Sequence, residues 1–228
     1  MGEVARAGWV TGVVLLLGAT ICGSAVAQGE TIFETQFLDP VQAASEWGFP
    51  TGVTEVTEQG FTAAFTPGTL TVTVDGAENA WLSPEIGDLS ADQAIEARVA
   101  SSSGDESALY GVACRAELGS VGYVFLVGSD GYYTIGRFDE GGNGKAIVNA
   151  KGTKRTEAVD SLGVNIVRGE CVGKNRVSLT LFVNGEKVAS TVDKKPPKKL
   201  GRRAFVVTEV EAGLKTTTEF TGFAVHAP

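Results

Sequence analysis

Val177-Ser-Leu-Thr-Leu-Phe-Val183, then Asn184-Gly185, then Glu186-Lys-Val-Ala-Ser-Thr-Val192 decides the fold class. In the first run Val177, Leu179, Leu181 and Val183 recur at every second position, the spacing that places side chains on one face of a strand. Asn-Gly is the dipeptide that tolerates two successive left-handed conformations, so the second run reads as the returning strand of a hairpin. Outward from this hairpin the pattern repeats. Thr69-Leu-Thr-Val-Thr-Val-Asp75 alternates in the same way. Further strands are expected at 31–37, 60–66, 93–100, 108–116, 121–128, 132–138, 145–149, 163–171, 204–211 and 217–225, with turns at Asp75-Gly76, Ser129-Asp130-Gly131 and Gly141-Gly142-Asn143-Gly144. No long helical period, internal repeat or low-complexity linker interrupts them. The expectation is an all-β, antiparallel two-sheet jelly-roll sandwich forming one domain over 28–228.

Composition agrees with many turns and limits the chemistry. Glycine supplies 30 of 228 residues, about twice the usual share of ~7%, without a collagen period. Nineteen basic residues against 27 acidic ones give a net charge of -8, which repels phosphate backbones and argues against nucleic acid as a partner. The single histidine, His226, leaves no Ser-His-Asp or Cys-His centre and no metal site built from two imidazoles.

Val10 to Cys22 is an uncharged apolar run of 13 residues, short of the ~20 that span a bilayer as a helix. It follows Arg6 and leads to Ala25-Val26-Ala27, so residues 1–27 read as a signal peptide cleaved after Ala27, which makes the mature chain secreted with no transmembrane anchor. Glu3 offsets Arg6, and an uncleaved anchor or a lipid on Cys22 are the alternatives, the latter opposed by the bulky Ile21. Loss of Cys22 leaves Cys114 and Cys171, an even pair in an oxidising compartment, which reads as a disulfide. Two buried free thiols are the other reading.

The order of motifs resembles secreted bacterial domains of the concanavalin A-like lectin/glucanase family, including its laminin-G-like and 3-keto-disaccharide-hydrolase-like branches. Carrying the resemblance are Phe37-Leu-Asp-Pro40, Trp47, Trp81-Leu-Ser-Pro84, Asp88 through Arg98, Tyr110-Gly-Val-Ala-Cys-Arg115, Gly122 through Arg137, Asn165 through Gly173 and Leu179 through Gly185. The similarity spans about residues 31–225. The resemblance implies two facing sheets, one curved, with the first strand near Phe33–Phe37 beside the last near Phe220–Val225. It does not imply one activity, because the fold serves lectins, adhesion modules and glycosidases.

Saccharide recognition uses aromatic faces against pyranose C–H surface and planar donors for paired hydroxyls. Tyr110, Arg115, Tyr123, Tyr133 and Arg137 lie on three neighbouring strands, and Arg168 can join them, so these six are the candidate ligand-binding residues of a noncatalytic module. Alternation sets Tyr133 and Arg137 on one face and Tyr132 and Phe138 on the other. The competing assignment is core packing for part of this set. An extracellular protein is the other partner class. Catalysis is unsupported by the sequence: the Glu-x-Asp-x-(x)-Glu string of the laminarinase-type members is missing, and Glu209-Val210-Glu211 is the nearest substitute for a carboxylate pair, more simply a solvated face. No catalytic residue, cofactor or metal ligand is therefore assigned. The fold commonly carries a structural Ca2+, to which Asp39, Asp88, Asp130 or Asp139 could contribute. Lys194, Lys195, Lys198, Lys199, Arg202 and Arg203 flank two prolines, so this stretch is an exposed loop that departs from the family pattern and offers an anionic partner a basic patch.

Overall fold

The computed structural model describes residues 29–58, 60–87, 89–117, 121–139, 144–198 and 200–228. The signal segment and Cys22 lie outside them, as do Asp88 and Lys199. In chain order the elements are β1 (Thr31–Thr35), α1 (Pro40–Glu46), β2 (Glu55–Glu58), β3 (Phe61–Thr66), β4 (Thr69–Asp75), β5 (Asn79–Leu82), β6 (Gln93–Gly104), β7 (Leu109–Ala116), β8 (Gly122–Gly128), β9 (Tyr133–Phe138), β10 (Gly144–Val148), β11 (Asn165–Val172), β12 (Val177–Val183), β13 (Glu186–Asp193), β14 (Arg203–Glu209) and β15 (Lys215–His226).

The strands form two antiparallel sheets. One has nine strands in the order β13-β12-β11-β6-β15-β4-β3-β2, with β1 also paired to β15. The other has six, in the order β10-β9-β8-β7-β14-β5. Phe33 pairs with Val225, so the first strand lies beside the last as the resemblance implied. At the hairpin that opened the reading, Asn184 and Gly185 take φ of 52° and 81° and Val183 pairs with Glu186.

Three short elements carry no clear alternation and escape a periodic reading: α1, β2 and β5. Helix α1 begins where Asp39 caps it, its Oδ1 accepting from the Val41 and Gln42 amides at 3.0 and 3.1 Å, with Pro40 in the first turn where its missing N–H costs nothing. It seats Trp47 edge-on against Phe37, Phe65 and Phe223 at ring separations of 5.8, 6.0 and 5.3 Å.

The core lies between the sheets, and its bulky side chains come from alternate positions: Tyr110, Val112 and Cys114 of β7, Tyr123, Phe125 and Val127 of β8, and Val167 and Cys171 of β11. Gly169 sets the spacing of the sheets at this point, because a Cβ there would collide with the Phe125 ring. Cys114 and Cys171 are bonded across the sandwich, with Cα atoms 6.5 Å apart.

Candidate functional site

The outer face of the six-stranded sheet is built from the positions the core does not use. Pairing aligns them in rows across the strands. Asn79, Glu209, Leu109 and Gly128 form one row; Trp81, Val207, Gly111, Leu126 and Thr134 the next; Phe205, Ala113, Val124, Gly136 and Ala146 the third. Gly111, Ala113 and Gly136 keep the middle of this face low, and Val124, Leu126, Phe205 and Val207 beside them form a second buried apolar cluster, the floor. Trp81 spans that floor. Its ring meets Phe205 at 5.7 Å and Phe138 of β9 at 5.1 Å, the latter nearly perpendicular at 89°.

Beside this bridge is a groove of about 840 Å3. Its lining holds five carboxylates, among them Glu78, Glu209 and Glu211, against Lys145 and Arg155. Glu209 is half-buried; burial first, and then the charge of Glu78, raise its pKa above the ordinary 4.5. Tyr132 supplies an aromatic wall. The Arg155 guanidinium sits 5.1 Å from the Tyr132 ring centre, and its Nε donates to Asp130 at 2.8 Å, while Asp130 also accepts the Tyr132 amide at 2.8 Å. The groove therefore combines an apolar floor, an aromatic ring fixed by a cation, and a surplus of negative charge.

Most of the ligand-binding residues expected from the sequence point the other way. Tyr110 and Tyr123 are 2% and 0% exposed and belong to the intersheet core, as does Tyr133. Burial pushes the Tyr110 hydroxyl up to about 12, and it raises Tyr123 as well, helped by the Asp193 carboxylate. Arg137 donates to Asp193 at 2.8 Å and to the Lys195 carbonyl at 2.9 Å, and the Tyr123 hydroxyl donates to the same carboxylate at 3.0 Å. Burial works against the Asp193 charge, but the Lys195 amide, Arg137 and Tyr123 outweigh it and lower its pKa. This network ties the end of β13 in one sheet to β8 and β9 in the other.

Arg115, 2% exposed, pairs with Asp92 at 2.7 Å and reaches the Cys171 carbonyl at 3.4 Å; burial first lowers its pKa and Asp92 opposes the shift. Arg168 projects from the far face of the nine-stranded sheet, bonded to Glu170 at 2.9 Å. The six expected ligand residues therefore do not gather on one surface. Tyr110, Tyr123, Tyr133 and Arg115 fill or close the core, Arg137 braces it, and Arg168 is on the wrong sheet. The opposite alternation phase, Tyr132 and Phe138, lines the groove.

The basic stretch is also divided. Lys194, Lys195 and Lys198 are exposed on the β13–β14 connection, and the Arg202 carbonyl accepts the Leu89 amide at 3.0 Å. Arg203 instead begins β14 and holds its guanidinium 5.6 Å from the Phe205 ring centre. Of the aspartates considered for Ca2+, Asp39 is the helix cap and Asp130 the Arg155 partner, while Asp139 also has a partner; among the described residues no three His, Cys, Asp or Glu side chains gather as a metal site.

No family model matches the sequence, and neither does any curated protein. Solved structures do match in shape. An alginate lyase from a Chlorella virus aligns with a TM-score of 0.55 at 10% identity, covering 87% of this chain and 100% of its own. A structure reported for endo-acting O-glycanases, which prominent members of the human gut microbiota express to initiate mucin breakdown, aligns at 0.56, with 10% identity and coverages of 87% and 99%. A prokaryotic β-1,3-1,4-glucanase from a mouse hindgut metagenome aligns at 0.54, with 11% identity and coverages of 86% and 99%. The fold is that of the concanavalin A-like lectins and glucanases. At these identities the likeness is one of fold, and the concanavalin A-like architecture leaves the ligand to be argued from the groove.

Proposed function

We propose that this protein acts outside the cytoplasm and binds an uncharged saccharide in the groove on the outer face of the six-stranded sheet. The observation that carries this is the groove's lining: a floor of Leu109, Val124, Leu126, Thr134 and Gly136, walled by Tyr132 and Phe138 and edged by carboxylates that can accept hydroxyl hydrogen bonds. The surplus of carboxylates disfavours uronates and sulfated glycans by like-charge repulsion. The Cys114–Cys171 bond supports an oxidising compartment. A glycan array carrying uncharged and uronate saccharides tests the reading. Retention on uncharged glycans that persists at high salt supports it, and retention confined to anionic glycans, or none, overturns it.

Glycoside hydrolysis is a second reading, favoured by Glu209. A half-buried carboxyl with a raised pKa beside another carboxylate has the properties of a general acid, and Glu78 shares its groove. Reducing ends released from a bound oligosaccharide by the wild type, and not by Glu209→Gln, would establish the enzyme. Binding without release establishes the noncatalytic module.

A further inference from the structure

A second cavity, of about 770 Å3, lies beyond the Trp81–Phe138 contact. It is formed where β5, the edge strand of the smaller sheet, faces the segment after α1 and the β2–β3 edge of the larger one. It shares Asn79 and Phe138 with the groove, so the two spaces are neighbours along one surface. Its walls are aromatic: Trp47, Phe49, Phe61, Trp81 and Phe205. Its polar groups are few and separate, with Arg203 lying over Phe205 and Glu58 supplying the opposite charge.

One buried group in this wall lacks a partner. Trp47 is 5% exposed, and its indole Nε1–H has no hydrogen-bond acceptor among the described residues. A buried donor left dry is costly, and native structures rarely keep one without a ligand or water to satisfy it. The exposed Asn79 adds a polar amide to the lining. An ionic occupant finds no net charge, because Glu58 and Arg203 cancel. An uncharged, amphipathic molecule with C–H faces and hydroxyls matches the rings and the exposed Asn79 amide.

We propose that the aromatic cavity is a further saccharide subsite, continuous with the groove past Trp81 and Phe138, so that the ligand is an uncharged oligosaccharide long enough to occupy both. This inference rests on the groove reading above and names the length of its ligand. The sequence has three tryptophans; Trp47 and Trp81 both line this cavity, so their emission reports its occupancy. The test titrates the protein with cello-, laminari-, xylo- and manno-oligosaccharides of two to eight units, reading heat and tryptophan emission. Affinity is expected to rise at least tenfold between three and six units in the recognised series, and the emission to shift only with the longer members. Arg203→Ala and Phe61→Ala should each reduce the affinity for six units to that for three. A hexamer that binds no tighter than the trimer and leaves the emission unchanged overturns the extended subsite while the groove reading stands. Failure of every series to bind overturns both.

Discussion

Trp81 and Phe138 touch edge to face at 5.1 Å although their strands, β5 and β9, are separated in the sheet by β14, β7 and β8. In a flat sheet strands four places apart would be about 19 Å from each other, at roughly 4.8 Å per step. The rings meet because the sheet curls toward its outer face. The curl is possible because Gly111, Ala113 and Gly136 leave that face low between them. The same contact stands between the acidic groove and the aromatic cavity, the two spaces proposed to hold a saccharide.

Removal of this bridge should affect both stability and binding. Trp81→Ala deletes a half-buried indole packed on two rings and is expected to cost about 2–3 kcal/mol, below the range for a fully buried aromatic. Urea unfolding measures the loss, and the same variant should bind oligosaccharides more weakly than Trp81→Phe.

The disulfide joins the sheets across a sequence separation of 57 residues. Chain-entropy reasoning gives about 4 kcal/mol for a loop of this length. Replacing both cysteines by serine should lower the unfolding free energy by about 2–5 kcal/mol, and mass analysis of the unreduced wild type should find no free thiol at Cys114 or Cys171.

Asp193 holds Arg137, Tyr123 and the Lys195 amide at one end of the sandwich. Its folded pKa is lowered, so its contribution is present above the unfolded value near 3.8 and is lost as pH falls through the folded value. Asp193→Asn is expected to cost about 2–4 kcal/mol at pH 7, since it leaves Arg137 without its carboxylate. The gap between variant and wild type should close progressively below pH 3.8 in acid-unfolding curves.

Glu209 has the opposite sign. Burial and Glu78 raise its folded pKa, so the fold favours the protonated carboxyl, and that contribution is present below the unfolded value near 4.5 and lost as pH rises through the folded one. Glu209→Gln should therefore melt higher than the wild type at pH 7, with the difference vanishing below pH 4.5. Equal melting temperatures across that range would remove the electrostatic part of the groove description.

The two-sheet architecture and most strands were legible because alternation is a local property, and Val177–Val183 with its Asn184-Gly185 turn carries it in full. The helix after Asp39 and the strand at Asn79–Leu82 were not, since each is too short to show a period. The placement of the candidate ligand residues was hidden for a different reason. Alternation divides a strand into two faces without saying which one meets the other sheet, and Tyr133 with Arg137 looked as suitable for a ligand as Tyr132 with Phe138. The deciding clue was present: Cys114 shares a face with Tyr110 and Val112, and a bond to Cys171 on the opposite sheet makes that face the inner one. The cavity at Trp47 was beyond local pattern, because Phe61, Trp81 and Arg203 are distant in sequence and meet only where the two sheets face each other.

Saccharide binding on the concave face is tested most directly by a glycan array probed with the wild type and with Tyr132→Ala, whose ring forms the groove wall. Retention of the wild type on uncharged oligosaccharides, reduced at least tenfold by Tyr132→Ala, is expected. Equal retention of the two proteins, or retention on uronates alone, contradicts it.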